Sequence, residues 1–324
     1  KATACLSLLF VYALCAWMGD KMLDVCLLGT GGMMPLPDRW LTSLLMRYNG
    51  RMLLVDCGEA GQIPVRLCGW GFKAIDAVLF THYHADHVAG LPGLLLTLGN
   101  SGREEPLILV GPPGIRMVVE GLRVIAPQLP YELKLLELPV NQVSEFQLDD
   151  MYIRSTPVEH GMPCLAYSFE IRRQGRFDST RAKELGIPVN FWGLLQRGEE
   201  IRLGDRLMGP EMVMGKPRKG IKVCYCTDTR PVESLVDFIK GSELFICEGM
   251  YGHDHELEKA VEKKHMLFSE AALLARYGEV GELWLTHFSP SLESPREFEA
   301  SVREIFKNAV VGSDLMKKNI KFKE

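Results

Sequence analysis

"FTHYHADHVAGLPGLL", residues 80–95, places three histidines and an aspartate within six positions: His82, His84, Asp86 and His87. Neither folding nor solubility requires such a cluster, and the whole chain has only eight histidines. The run before it, Ala77–Phe80, has the length and residue types of a buried strand, and Val88–Leu98 after it has helical spacing. The cluster is therefore a loop at the C-terminal end of a strand, where α/β proteins place chemistry. In extended backbone His82 and His84 face one side together. Asp86 and His87 lie where the chain turns into the helix and face a different point. Two pairs aimed at neighbouring points suit a two-metal centre, with imidazole matched to zinc and carboxylate adding a hard oxygen ligand.

Composition frames this loop. The 324 residues are 47% apolar and 24% charged, which gives a globular protein with ample core, in one large domain or two. A net charge of −4 excludes a blanket nucleic-acid coat but leaves room for a local basic patch. Nine scattered cysteines, odd in number and without a C-x-x-C, read as reduced core thiols of a cytoplasmic protein rather than a disulfide framework. Cys224 and Cys226 would share one side of a strand, as two core thiols or, less readily, a metal pair. Ala2–Gly19 is uncharged and includes "LSLLFVYALCAW". Residues 1–21 read as a non-native extension ahead of a start at Met22, as an anchor or signal segment, or as a packed helix. Unless they are a native anchor, no stable membrane partner is expected.

Further strand-like runs are Leu23–Leu28, Met52–Val55, Leu107–Val110, Met151–Ser155, Leu165–Glu170, Lys222–Cys226, Leu244–Cys247 and Glu282–Leu285. Helical spacing recurs at Ile115–Ala126, Val232–Ile239, Ser269–Tyr277 and Pro295–Phe306. Strands grouped early, with helices interleaved later, predict an α/β protein of the αββα sandwich type. "LLGTGGMM", residues 27–34, fails as a dinucleotide fingerprint: Met34 occupies the third glycine position and no helix pattern follows, so it reads as a tight turn.

Four side chains cannot complete two metal shells. Three more candidates stand at strand ends or before an apolar run: His160 in "PVEHGMPCLAY", Asp228 in "CYCTDTRP" and His287 in "LWLTHFSP". Together with the first cluster they supply the count for two ions.

These motifs, with "VDCGEAGQ", "GPPGI" and the His265 segment in the same order, make the chain from Met22 onward resemble the metallo-β-lactamase superfamily. Within it, the chain resembles the short-form ribonuclease Z family of tRNA 3′-processing endonucleases. The H-x-H-x-D-H string is specific to the superfamily; "GLPGLL", His265 and an interrupting arm narrow it. The resemblance implies that His82, His84 and His160 bind one zinc, that Asp86, His87 and His287 bind the other, and that Asp228 bridges both. Mn2+ or another divalent ion could serve. Asp56 would orient a ligand from behind, Asp86 would orient or deprotonate the attacking water, and His265 would protonate the departing ribose oxygen. His253 and His255, a metal pair by spacing alone, match no family ligand and read as a solvated loop.

The resemblance also implies a homodimer acting on precursor tRNA. Residues 172–222 carry twelve Lys/Arg against six Asp/Glu, so a basic insertion sits on a body near −10. It coincides with the family's tRNA-gripping arm, expected at about 174–205 within a hydrolase domain of 22–324. Arg176, Arg181, Lys183, Arg197 and Arg202 would contact phosphates, with Phe191 and Trp192 anchoring the lobe or stacking on RNA. The chain departs from the family in three places: no Gly-Pro pair stands near Val189–Asn190, "SPSL" follows the last histidine motif, and Leu41 replaces a common asparagine. A hydrolase of small phosphodiesters or esters, and a non-enzymatic RNA-binding protein, are the competing readings.

Overall fold

The computed structural model describes residues 22–323, so the expectations for 1–21 lie outside the described residues. Its strands are β1 (Met22–Gly29), β2 (Ser43–Tyr48), β3 (Arg51–Val55), β4 (Ile75–Leu79), β5 (Leu107–Gly111), β6 (Leu133–Glu137), β7 (Ser144–Leu148) and β8 (Met151–Val158). They continue as β9 (Cys164–Arg173), β10 (Ile201–Leu203), β11 (Arg206–Met208), β12 (Arg218–Cys226), β13 (Leu244–Glu248), β14 (Leu283–Thr286), β15 (Ala309–Val311) and β16 (Met316–Lys321). One seven-stranded sheet runs β16-β1-β2-β3-β4-β5-β6 and the other β15-β14-β13-β12-β9-β8-β7.

Side-chain alternation explains the layers. In β1, Leu23, Val25 and Leu27 enter the core between the sheets, while Cys26 and Leu28 face the outer helices. Both faces are covered, so apart from Asp24, which pairs with Arg47, the strand reads as an apolar run rather than an alternating one. β12 behaves likewise: Val223 and Tyr225 point inward, whereas Cys224 and Cys226 pack against the helices Glu233–Ile239 and Phe268–Tyr277. The two cysteines do share one side, as core thiols. The result is the αββα sandwich.

Local chemistry sets the connections. Asn49 and Gly50, both at positive φ, close the two-residue turn between β2 and β3. From β3 to β6 the strands are parallel, and helices Gln62–Cys68, Leu91–Asn100 and Ile115–Leu122 supply the crossovers. β12 to β15 are parallel as well. The C-terminal ends of both parallel groups therefore furnish the loops that carry the histidine and aspartate motifs, except that of His160, which lies in the turn of the antiparallel β8–β9 pair.

Between β9 and β12 the chain leaves the sandwich and folds as a lobe with its own core of Ala182, Ile187, Leu195, Ile201, Met208 and Val213. Two short helices, Ser179–Glu184 and Val189–Gln196, and the β10–β11 hairpin build it. A Phe177–Met214 bridge closes its base, and a Cβ on Gly175 would lie 1.9 Å from the Gly215 carbonyl oxygen. The expected limit at Asp205 is thus too early: it falls in the hairpin turn, and the lobe runs on to about Met214.

Candidate metal centre

The strand-end loops converge on one cleft of about 720 Å3. His82, His84, Asp86 and His87 follow β4, and His160 lies between β8 and β9. Asp228 follows β12 and His287 follows β14. His82 Nε2 is 3.0 Å from His84 Nδ1, which is 3.2 Å from His160 Nε2. On the other side, His87 Nε2 and His287 Nε2 are 3.2 Å apart, and each is 3.5 Å from Asp86 Oδ2. Asp228 faces both sets. Its Oδ1 lies 3.3 Å from His87 Nε2 and 3.2 Å from His287 Nε2, while Oδ2 lies 3.6 Å from His82 Nε2 and 3.8 Å from His160 Nε2.

A cation fits this arrangement. Nδ1 of His87 is 2.9 Å from Asp56 and Nδ1 of His160 is 3.2 Å from the Lys264 carbonyl, so the ring protons belong there and each Nε2 is left bare. Bare nitrogens then face one another and a carboxylate, and the buried Asp228 Oδ1 accepts no hydrogen bond. Burial, with neighbouring imidazoles, holds His82 well below the usual histidine range, and burial lowers His84 and His160. These three are held neutral, the form in which an imidazole can bind a metal. At His87 burial opposes charge, but Asp228 and Asp56 outweigh it, so positive charge is favoured at that point. The residues therefore hold a divalent metal by donor type and placement.

Asp56, fully buried, accepts from the Thr81 amide at 2.8 Å and from the Thr81 hydroxyl, besides facing His87. Asp56, Asp228 and His287 all adopt left-handed backbone, with φ of 60°, 44° and 59°. Such strain in residues with side chains collects at functional sites. Gly32 lies against His287: a Cβ there would meet its ring at 2.8 Å, so the tight turn is part of the site wall.

His265 is buried at the edge of the cluster, its Nδ1 3.0 Å from Glu248 and 4.0 Å from Asp228 Oδ2. Burial works against its charged form, yet Glu248, Asp228 and Asp86 outweigh that and push its pKa up to about 9. Glu248 was not among the expected residues. It ends β13, between the two strands that deliver Asp228 and His287, and its position could have been read from that rule. Arg230, also missed, pairs with Glu270 and donates to the His265 carbonyl. His253 and His255 stack on each other in an exposed loop and join no ligand cluster among the described residues.

On the lobe, Phe191 and Trp192 pack against its core, and the Trp192 indole donates to the Ile187 carbonyl at 3.0 Å. They anchor it. Arg181 and Arg197 pair with Glu184 and Glu199, whereas Arg176, Lys183 and Arg202 are exposed and have no acidic partner among the described residues.

A family model described as "Anti-Pycsar protein Apyc1" matches residues 23–118, less than half of the chain. The ribonuclease Z of Clostridium kluyveri is 52% identical over 303 residues, covering 94% of this chain and 100% of the relative. That of Clostridium acetobutylicum is 53% identical over 307 residues, covering 93% and 99%. The crystal structure of the short form of human tRNase Z aligns with a TM-score of 0.67 at 21% identity, covering 92% of this chain and 100% of that one.

Proposed function

The chain belongs to the ribonuclease Z family, and from that premise we propose how it works as a tRNA 3′-processing endoribonuclease: with two zinc ions, cutting precursor tRNA to leave a 3′-hydroxyl. The observation that carries the reading is Asp228, whose two oxygens face two separate sets of bare imidazole nitrogens. His82, His84, His160 and Asp228 would hold one ion, and Asp86, His87, His287 and Asp228 the other. Bound there, two divalent ions activate a water near neutral pH and offset the charge that builds on the phosphodiester.

The chain's own groups do the rest. Asp86 Oδ2 orients the attacking water, and Asp56 fixes His87 through Nδ1. His265, held protonated by Glu248, gives its proton to the ribose 3′-oxygen as the P–O3′ bond breaks. The lobe supplies phosphate contacts away from the cleft through Arg176, Lys183 and Arg202. Two copies act together: Ile63 and Leu67 on one helix and Leu96 on its neighbour are exposed apolar side chains that a second copy would cover. The enzyme works in the cytoplasm; among the described residues no helix is long and apolar enough to cross a membrane.

The test is direct. Purified protein is incubated with a 3′-extended precursor tRNA and the new 3′ end is sequenced. Cleavage next to the discriminator position supports the reading, and an intact precursor beside rapid hydrolysis of small diesters overturns it.

A further inference from the structure

Between Gly32 and Pro35 the chain does something the metal centre does not need. Met33 takes left-handed backbone, φ 67°, while its amide donates to Asp86 Oδ2 at 2.7 Å. Its side chain is nonetheless 65% exposed, and that of Met34 is 54% exposed. Both line the cleft that holds the ligand atoms. Two neighbouring thioethers, more than half exposed at a strained turn tied to a metal-site carboxylate, form an apolar wall that joins no hydrophobic cluster among the described residues. Lys259 and Lys263 line the same cleft, the Lys259 ammonium 4.5 Å from the Tyr251 ring centroid. Their ion pairs, to Glu256 and Glu262, are exposed and therefore weak.

An apolar surface and a pair of cations lining one cleft match a single-stranded polynucleotide, which offers a ring face and a phosphate at each step. Resting on the function proposed above, we propose that Met33 and Met34 form the subsite for the base of the first trailer nucleotide, while Lys259 and Lys263 receive a flanking backbone phosphate. The assignment to the trailer follows from polarity. His265 serves the departing 3′-oxygen, which belongs to the tRNA side. The Met33 wall adjoins Asp86, in the other ligand set, and is left for the nucleotide whose 5′-oxygen stays on phosphorus. Sulfur against a ring edge and the burial of flexible apolar side chains are both favourable and tolerant of base identity. Selection of a cut site without selection of trailer sequence would follow.

The test is a coupling measurement on cleavage of precursor tRNA. The parent and Met33→Ala/Met34→Ala are compared on substrates with an intact or an abasic first trailer nucleotide, and on a third that is abasic at the last retained nucleotide. The alanine variant should lose roughly 3- to 30-fold more kcat/KM on intact RNA than on RNA abasic at the first trailer position. Met33→Leu/Met34→Leu should recover most of that difference, and metal content with a melting curve reports whether each variant is folded. Lys259→Gln and Lys263→Gln should each flatten the salt dependence of log KM, by about 0.7 for every phosphate no longer neutralised. Equal losses on intact and abasic trailers, or coupling only to the last retained nucleotide, would overturn the subsite. If the parent itself fails to cut precursor tRNA, the underlying function is what has failed.

Discussion

At the residue scale, His265 and Asp56 do different kinds of work, and kinetics can separate them. His265 lies within 4.8 Å of ligand atoms of Asp228 and His287, but its Nδ1 is taken up by Glu248 at 3.0 Å and it lines the cleft. His265→Ala should therefore slow RNA cleavage by about 10²–10⁴-fold with metal content unchanged. The loss should be smaller on bis(p-nitrophenyl) phosphate, whose leaving group needs no proton; equal losses would place His265 in the metal site instead. Asp56→Ala should act the other way round. It removes the acceptor that fixes the His87 tautomer, so metal affinity should fall by about 10- to 100-fold, read by competition with a chelator. Excess metal should then restore much of the turnover.

At the scale of elements, the lobe gives the sharpest test because it enters and leaves through a narrow neck. Arg173 and Arg218 are paired across the β9–β12 ladder, so residues 176–214 can be replaced by a short Gly/Ser linker without breaking either sheet. Metal content and small-diester hydrolysis should persist while cleavage of precursor tRNA falls steeply through binding. Within the intact lobe, Arg176→Glu, Lys183→Glu and Arg202→Glu should weaken RNA binding more than charge reversal at Arg181 or Arg197, which already face carboxylates. Comparable effects from all five would mean that net charge, not particular side chains, governs binding. Much of this architecture was legible in the chain. Runs buried on both faces, such as Leu107–Val110 and Leu244–Cys247, stand where expected because continuous apolarity leaves them one environment. The central β2, Ser43–Tyr48, is buried as well but was not read, its Arg47 and Tyr48 breaking the run. Edge strands escaped notice. "MKKNIK" in β16 and "SEFQL" in β7 keep only one buried or half-buried face, and their charged or polar residues hide the pattern. The helices Ser179–Glu184 and Val189–Gln196 were hidden for a related reason: each is short and stabilised by the lobe's private core rather than by a repeated stripe. The seven His and Asp candidate ligands that converge at the cleft were readable because each sits at a strand end or beside a distinctive motif. Glu248 looked like one more apolar strand's polar full stop.

At the scale of the whole molecule, the centre joins two halves. His82, His84, Asp86 and His87 belong to loops of the β1–β6 sheet, whereas His160, Asp228 and His287 belong to the other. Divalent ions bound between them would link the rims of both sheets, and binding that favours the folded state adds about 2.7 kcal/mol for each ion when the free ion is at a hundred times its Kd. Chelated protein should therefore melt roughly 5–10 °C lower than the loaded form, by scanning calorimetry. It should regain the difference on adding zinc, with close to two ions bound per chain by atomic absorption. An unchanged melting temperature would show that the sandwich needs no such link.

The left-handed backbone at Asp56, Asp228 and His287 has an evolutionary consequence. Each position would be relaxed by glycine, which adopts positive φ freely, and Asp228→Gly would also remove a buried charge. Lineages selected for heat resistance with metal kept chelated, so that the ligands add no binding energy, and with no demand for turnover, should drift towards glycine or asparagine at Asp228 and His287 before the surrounding core changes. Asp56 should hold, because the buried Thr81 donors need its carboxylate. Their descendants would be hardier and inert. The same positions in lineages kept active should stay fixed, so sequencing both populations would show how much of the stability this fold could reach is withheld by its chemistry.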